Sequence, residues 1–250
     1  MIIQIYEIQT PREAEKCIES GVNQIGSVLL SQEAWRLPSL KKVMSLSREA
    51  GVKNSLIPLF RDINTLYMAL DYYNPDYVHL CDSLTEQDGR EMDMERHIRF
   101  QTKLKEKFPE IGIIRSIPIP LERASPHFPA LKIASVLEPF TDIFLTDTWL
   151  GKEPVHGYIG ITGKKADWEL SGKLVAQSKI PVILAGGLSP ENVFSALKNV
   201  LPAGADSCTQ TNSVDKKGTP IRFMKDFDRV EKFVNEVGRF EKEAHRKKRG

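Results

Sequence analysis

The chain has 250 residues, 41% hydrophobic and 27% charged, with a formal net charge of +2 at pH 7. That composition excludes a disordered chain, and a balance so near neutral gives no reason to expect a nucleic-acid partner. No run approaches the ~18 apolar residues of a membrane helix, and the opening MIIQIYEIQT lacks the basic and apolar regions of a signal peptide, so a cytoplasmic protein with no membrane contact is expected.

Strand-like and helix-like segments alternate along the chain. Residues 2–8 read as a strand. Residues 11–20 read as a helix, with Thr10 as its cap and Pro11 at its first position. Strands follow at 22–30, 53–60 and 75–82, separated by helices at 39–50 and 62–73. A long polar amphipathic stretch covers 85–107. The second half repeats the rhythm, with strands at 111–119, 142–147, 181–187 and 204–210. Its helices are expected within 127–139, 167–178, 190–201 and 221–238.

About eight strand–helix units in 250 residues imply parallel pairing and suit a single (β/α)8 TIM barrel. A doubly wound open sheet is the alternative. The barrel is expected over residues 1–238, with a frayed basic C-terminal tail at 239–250. Cys17, Cys81 and Cys208 lie far apart without metal-ligand spacing, which reads as a reduced protein with no metal site.

In such barrels the chemistry lies at the C-terminal ends of the strands, with phosphate commonly held after strands seven and eight. Those ends here include Tyr6 and Glu7, Cys81 and Asp82, Asp147, Gly186 and Gly187, and Cys208 and Thr209. The two glycines remove side chains where backbone N–H groups meet an anion. GYIGITGKKADWEL (157–170) adds Thr162 and Gly163 to that set. It is not a P-loop, since Tyr158 stands five residues before Gly163 and Lys165 stands where Ser or Thr is required. Lys164 is expected at the rim, and Asp167 and Trp168 as helix cap and packing.

PVILAGGLSPENV (181–193), GITGKKADWEL (160–170), DIFLTD (142–147), WRLPS (35–39) and QIYEIQTPREAEKCIESGVNQIG (4–26) resemble segments of the phosphoribosylanthranilate isomerase family of tryptophan biosynthesis. The resemblance spans most of the chain. It implies a (β/α)8 barrel and an Amadori rearrangement of a phosphoribosyl amine, with a phosphorylated sugar as small-molecule partner and no cofactor. It further implies Asp147 as general acid, Arg36 against the anthranilate carboxylate, and phosphate on the backbone around Thr162, Gly163, Gly186, Gly187 and Thr209. A monomer or homodimer is expected.

Three positions depart from the pattern. Tyr6 stands where the family has its strand-one cysteine base. CTQTN (208–212) lacks the glycine of the family's segment after strand eight. Cys81 replaces a histidine. A phenol, with an ordinary pKa of ~10, is a poorer base than a thiol. The replacement base is sought in Tyr6 itself or in Cys208, which shares an inward face with Asp206. Alternation points Glu7 away from the interior if Tyr6 points in, unless a bulge reverses it. Two other readings stay open: a related barrel enzyme on a different phosphosugar, its pocket walled by Tyr6 and Arg115, and a non-catalytic phosphosugar-binding protein.

Overall fold

The computed structural model describes residues 1–121 and 127–247. Eight parallel strands close into a barrel: β1 (Ile2–Ile5), β2 (Gln24–Leu29), β3 (Lys53–Pro58), β4 (Tyr77–Leu80), β5 (Gly112–Pro120), β6 (Ile143–Trp149), β7 (Val182–Leu184) and β8 (Gly204–Ser207). Closure comes from β1 on β8, where Gln4 pairs with Asp206 and Ile5 with Ser207. The helices are α1 (Pro11–Glu19), α2 (Pro38–Glu49), α3 (Ile63–Tyr73), α4 (Glu95–Lys107), α5 (Ala130–Leu137), α6 (Trp168–Gln177), α7 (Val193–Val200) and α8 (Phe227–Lys247). The barrel, not the open sheet, is the fold. No helix among the described residues is long and apolar enough to cross a membrane.

Short-range chemistry sets most helix starts. Thr10 and Glu13 form a reciprocal capping box on α1, and the Glu13 carboxylate accepts from the Thr10 amide at 2.9 Å. Asp62 caps α3 by accepting from the Thr65 amide at 2.8 Å. Asp167 caps α6 by accepting from Glu169 and Leu170.

Alternation along β1 sends Ile3 and Ile5 outward into the layer formed with α1, α7 and α8, and Gln4 inward. The inside of the barrel is polar. Gln24 donates to Gln4, Gln4 donates to Asp206 at 3.0 Å, and Ser55 donates to Gln4 at 3.2 Å. The Tyr6 hydroxyl donates to Ser55 at 2.8 Å and lies 2.6 Å from His79 Nδ1, whose other ring nitrogen is 2.7 Å from Ser116. Each side chain in this hydrogen-bonded series has a partner, which is the condition for keeping such a layer buried.

The segment after β8 differs from the sequence reading. Residues 221–225 were expected to open the last helix. They form β10 (Pro220–Lys225), antiparallel to β9 (Asn212–Val214). The helix starts only at Phe227, where the Asp226 side chain accepts from the Arg229 amide at 3.2 Å. Of the amphipathic stretch 85–107, only Glu95–Lys107 is helical, and Thr85 and Glu91 form an antiparallel bridge before it.

The expected frayed tail is also corrected. α8 continues to Lys247, residues 248–250 lying outside the described set. Phe240 is 8% exposed within the core, Ala244 packs beside it, and the chain's amino group pairs with Glu241 at 2.7 Å. The basic composition hid an apolar face at residues 237, 240 and 244. Phe240→Ala should therefore destabilise the protein by about 3 kcal/mol in a denaturant titration, whereas a frayed tail would show no change.

Candidate active site

The cleft opens where β1, β6, β7 and β8 end, as barrel geometry demands. Asp147, on β6, faces into it. Burial pushes its carboxyl up to about 7, and the charge of Glu153 pushes the same way, against one hydrogen bond from the Thr148 amide at 2.8 Å. The loop after β6 passes directly over this carboxyl at Gly160. A Cβ there would stand 2.0 Å from Asp147 Oδ2, so only glycine permits the approach.

A second carboxyl lines the same cleft. Asp206, on β8, is also pushed up to about 7. Burial is the main cause and the charge of Asp147 adds to it, while the Gln4 hydrogen bond and Lys225 pull the other way. The sequence reading placed Asp206 inward but gave it no role. Its raised pKa arises from burial beside another carboxyl, which no local motif announces.

The two expected replacement bases do not fit. Tyr6 is buried and lines the cleft, but burial holds its phenol well above the ordinary value, and its hydroxyl is committed to Ser55 and His79. His79 is pushed down to about 3 by burial and by Arg115, so it is neutral and draws no proton from the phenol. Cys208 lines the cleft, yet burial raises its thiol far above the ordinary range. Neither group supplies an anion near neutral pH.

Glu7 is the second correction. It does not point away. β1 ends at Ile5, and Glu7 takes a left-handed backbone with φ of 64°, so strand alternation no longer applies. Its carboxylate lines the cleft and is 2% exposed. It accepts from Arg222 Nε at 2.7 Å, from the Phe223 amide at 3.1 Å and from Asn212 at 3.3 Å. The Phe223 and Arg222 contacts hold its pKa below the usual value despite burial. Arg222 comes from the hairpin that the sequence reading missed, and it too lines the cleft.

Arg36 is not at the cleft. It is exposed, and its guanidinium lies over the Tyr72 ring, 4.8 Å from the centroid. The cause is Tyr73 of α3. Its hydroxyl accepts from the Leu37 amide and donates to the Trp35 carbonyl, both at 2.7 Å, which pins the loop before α2 against α3. Arg115 does not line the cleft either. It is 1% exposed inside the barrel and pairs with Asp82 at 2.5 Å.

The glycine-lined region comes together as three loops. Thr162, Gly163, Gly186, Gly187 and Thr209 all face the cleft. Gln210 donates to the Gly163 carbonyl at 2.7 Å and joins the loop after β8 to that after β6. A Cβ on Gly187 would lie 2.5 Å from the Lys164 carbonyl carbon, so the loops after β6 and β7 are in backbone contact. Lys164 itself is exposed. The arrangement brings the loops after β6, β7 and β8 together on one side of the cleft.

Residues 127–236 match the family model described as N-(5'-phosphoribosyl)anthranilate (PRA) isomerase. The N-(5'-phosphoribosyl)anthranilate isomerase of Methanosarcina acetivorans is 31% identical over 240 residues, covering 94% of this chain and 92% of that one. The structure of the isomerase from Pyrococcus furiosus superposes with a TM-score of 0.66 at 23% identity, covering 96% of this chain and 99% of that chain. A phosphoribosylanthranilate isomerase in complex with reduced 1-(o-carboxyphenylamino)-1-deoxyribulose 5-phosphate superposes at 0.64, with 21% identity and 95% and 99% coverage.

The raised carboxyls carry a consequence for stability. Asp206 ionises above about pH 4 in the unfolded chain, but in the fold it keeps its proton until about pH 7. Its ionisation therefore adds no penalty below about pH 4, an increasing one between about pH 4 and 7, and the full one above. Asp206→Asn should leave stability unchanged at pH 4 and raise it by on the order of 2 kcal/mol at pH 8. Paired denaturant titrations at the two pH values test this, and a gain that does not grow with pH would contradict it.

Proposed function

Since the chain belongs to the phosphoribosylanthranilate isomerase family, we propose that it isomerises N-(5'-phosphoribosyl)anthranilate, with Asp147 as acid and Asp206 as base. The observation that carries the roles is the pair of carboxyls that line one cleft, each pushed up to about 7. Two groups so poised share protons, one ionised while the other is not.

Asp147 gives its proton to the ring oxygen as the C1–O bond breaks and the amine nitrogen forms the C1=N bond. Asp206, ionised, takes the proton from C2. The C2–H electrons form C1=C2 and neutralise the nitrogen. In the ketonisation of the resulting enol, Asp206 returns its proton to C1 and the C2 hydroxyl gives its proton to the ionised Asp147, yielding the 1-amino-1-deoxyribulose phosphate. The proton never leaves the substrate and the two carboxyls, so these steps call on no cofactor. Backbone amides around Gly163, Gly187 and Thr209 would hold the phosphate, away from the reacting carbons.

This reading also takes the protein as cytoplasmic, a monomer or homodimer, acting within tryptophan biosynthesis. The alternatives, a different phosphosugar or a non-catalytic binder, gain no support from relatives that share the whole length of the chain and bear the isomerase name.

Turnover of freshly made phosphoribosylanthranilate tests it. The wild type should show a bell-shaped kcat/KM profile centred near pH 7. Asp147→Asn and Asp206→Asn should each lower kcat by ~10²–10⁴-fold, the first losing the alkaline limb and the second the acid limb. Cys208→Ser should keep most activity. Wild-type turnover no faster than Asp147→Asn would sink the isomerase reading, and loss of activity in Cys208→Ser would return the base to the thiol.

A further inference from the structure

We propose that Arg222, carried on the β9–β10 hairpin, grips the carboxylate on the aryl ring of the substrate. The proposal rests on the isomerase reading above and places the carboxylate contact on a residue of the cleft, whereas Arg36 lies outside it.

Among the described residues lining the cleft, Arg222 is the only arginine or lysine. Its Nε donates to Glu7 at 2.7 Å, and its two terminal nitrogens make no hydrogen bond to another described residue. One face of the guanidinium lies over the Phe223 ring, 4.8 Å from the centroid. The side chain is 37% exposed, against 2% for its Glu7 partner. The group is thus held on one edge and one face, and its outer edge stays open. That open edge is the fork a planar carboxylate fits with two parallel hydrogen bonds.

The hairpin itself is anchored. Lys225 is 6% exposed and donates to the Cys208 carbonyl at 2.8 Å and to Asn212. The Phe223 and Asn212 donors to Glu7 come from its two strands, so Glu7 ties both strands to the end of β1. Glu7 therefore positions the guanidinium as well as balancing its charge. A fork whose freedom is already spent binds with less entropic loss.

The two anionic ends of the substrate need separate sites. The glycines belong to the loops after β6 and β7, and Thr209 to the start of the segment after β8. Arg222 lies later in that same segment, but its side chain is tied to Glu7 after β1, and the wall continues from there as Val28 of β2, Ile57 of β3 and Leu59. Those side chains are apolar, as an aryl ring between the two anions requires. Phosphate and carboxylate are then bound at different strand ends, with Asp147 and Asp206 facing the carbons between.

The test is equilibrium binding of two stable ligands by calorimetry. One is the reduced product analogue bearing the o-carboxyphenylamino group, and the other is its phenylamino twin, which lacks only the carboxylate. The wild type should bind the carboxylate ligand more tightly. Arg222→Ala should weaken it roughly 10- to 100-fold and leave the twin within about twofold. Arg222→Lys should fall between. The double variant Glu7→Gln with Arg222→Ala should show the same ligand-selective loss, so that an unpaired Glu7 is not its cause. Arg36→Ala should change neither ligand.

Equal losses on both ligands, or no loss, would overturn the role of Arg222, as would a selective loss in Arg36→Ala. If the wild type binds both ligands but its carboxylate preference survives in Arg222→Ala, only this proposal falls. If the wild type binds neither, the isomerase reading falls with it.

Discussion

The ring of Tyr6, held in the interior of the barrel, is the constraint to which the rest of the site adjusts. Gly26 on β2 makes its room: a Cβ there would stand 2.2 Å from the ring. The hydroxyl is fixed by Ser55 and His79, and both ionisable partners stay neutral because burial penalises either charge. A neutral phenol–imidazole pair thus occupies the interior at the end of β1. Asp206 is linked to this layer through Gln4, which also receives the Ser55 hydroxyl. The hydrogen-bonded floor thus orients the neighbouring carboxyl on β8, one strand over from the position the residue pattern pointed to.

Backbone strain marks the same region. Among the described residues, five other than glycine have left-handed backbones. Asn74 and Leu201 end α3 and α7, where that conformation closes a helix. The remaining three, Glu7, Ile161 and Phe223, have φ of 64°, 61° and 59°, and Ile161 is β-branched. Glu7 and Ile161 line the cleft, and Phe223 donates to Glu7 and underlies Arg222. Each such residue costs about 1–3 kcal/mol and persists only where its surroundings over-determine it. For Glu7 and Phe223 the surroundings are visible: three donors converge on one carboxylate, two of them from the strand that Phe223 belongs to.

The barrel was legible because its punctuation is local. Thr10 with Glu13, Asp167 with its two amides, and glycines at strand ends announce themselves within a few residues. The glycine-lined loops were legible for the same reason. Arg36 was not, since its place is decided by Tyr73, which lies 37 residues further on and bonds the chain on both sides of it. The hairpin was not, because Ile221 to Lys225 carries an alternation too short to outweigh the helix that follows, and its partner strand is only Asn212–Val214. Glu7 escaped because period two was carried two residues beyond the end of the strand. Asp206 escaped because its pKa depends on the enclosing barrel.

The assignment of acid and base follows from what surrounds each carboxyl. Their intrinsic chemistry is the same and burial raises both, so the lesser influences decide where a shared proton rests. Asp147 feels the added negative charge of Glu153, which favours its protonated form. Asp206 feels the positive charge of Lys225 and accepts from Gln4, both of which favour its ionised form. The Thr148 amide and the effect of Asp147 on its neighbour act the other way, so the isomerase reading, which needs the shared proton on Asp147, leans on the charges of Glu153 and Lys225. Lys225 is the same residue that fastens the hairpin to Cys208 and Asn212. On that reading, the element that carries the guanidinium also favours the ionised form of the base.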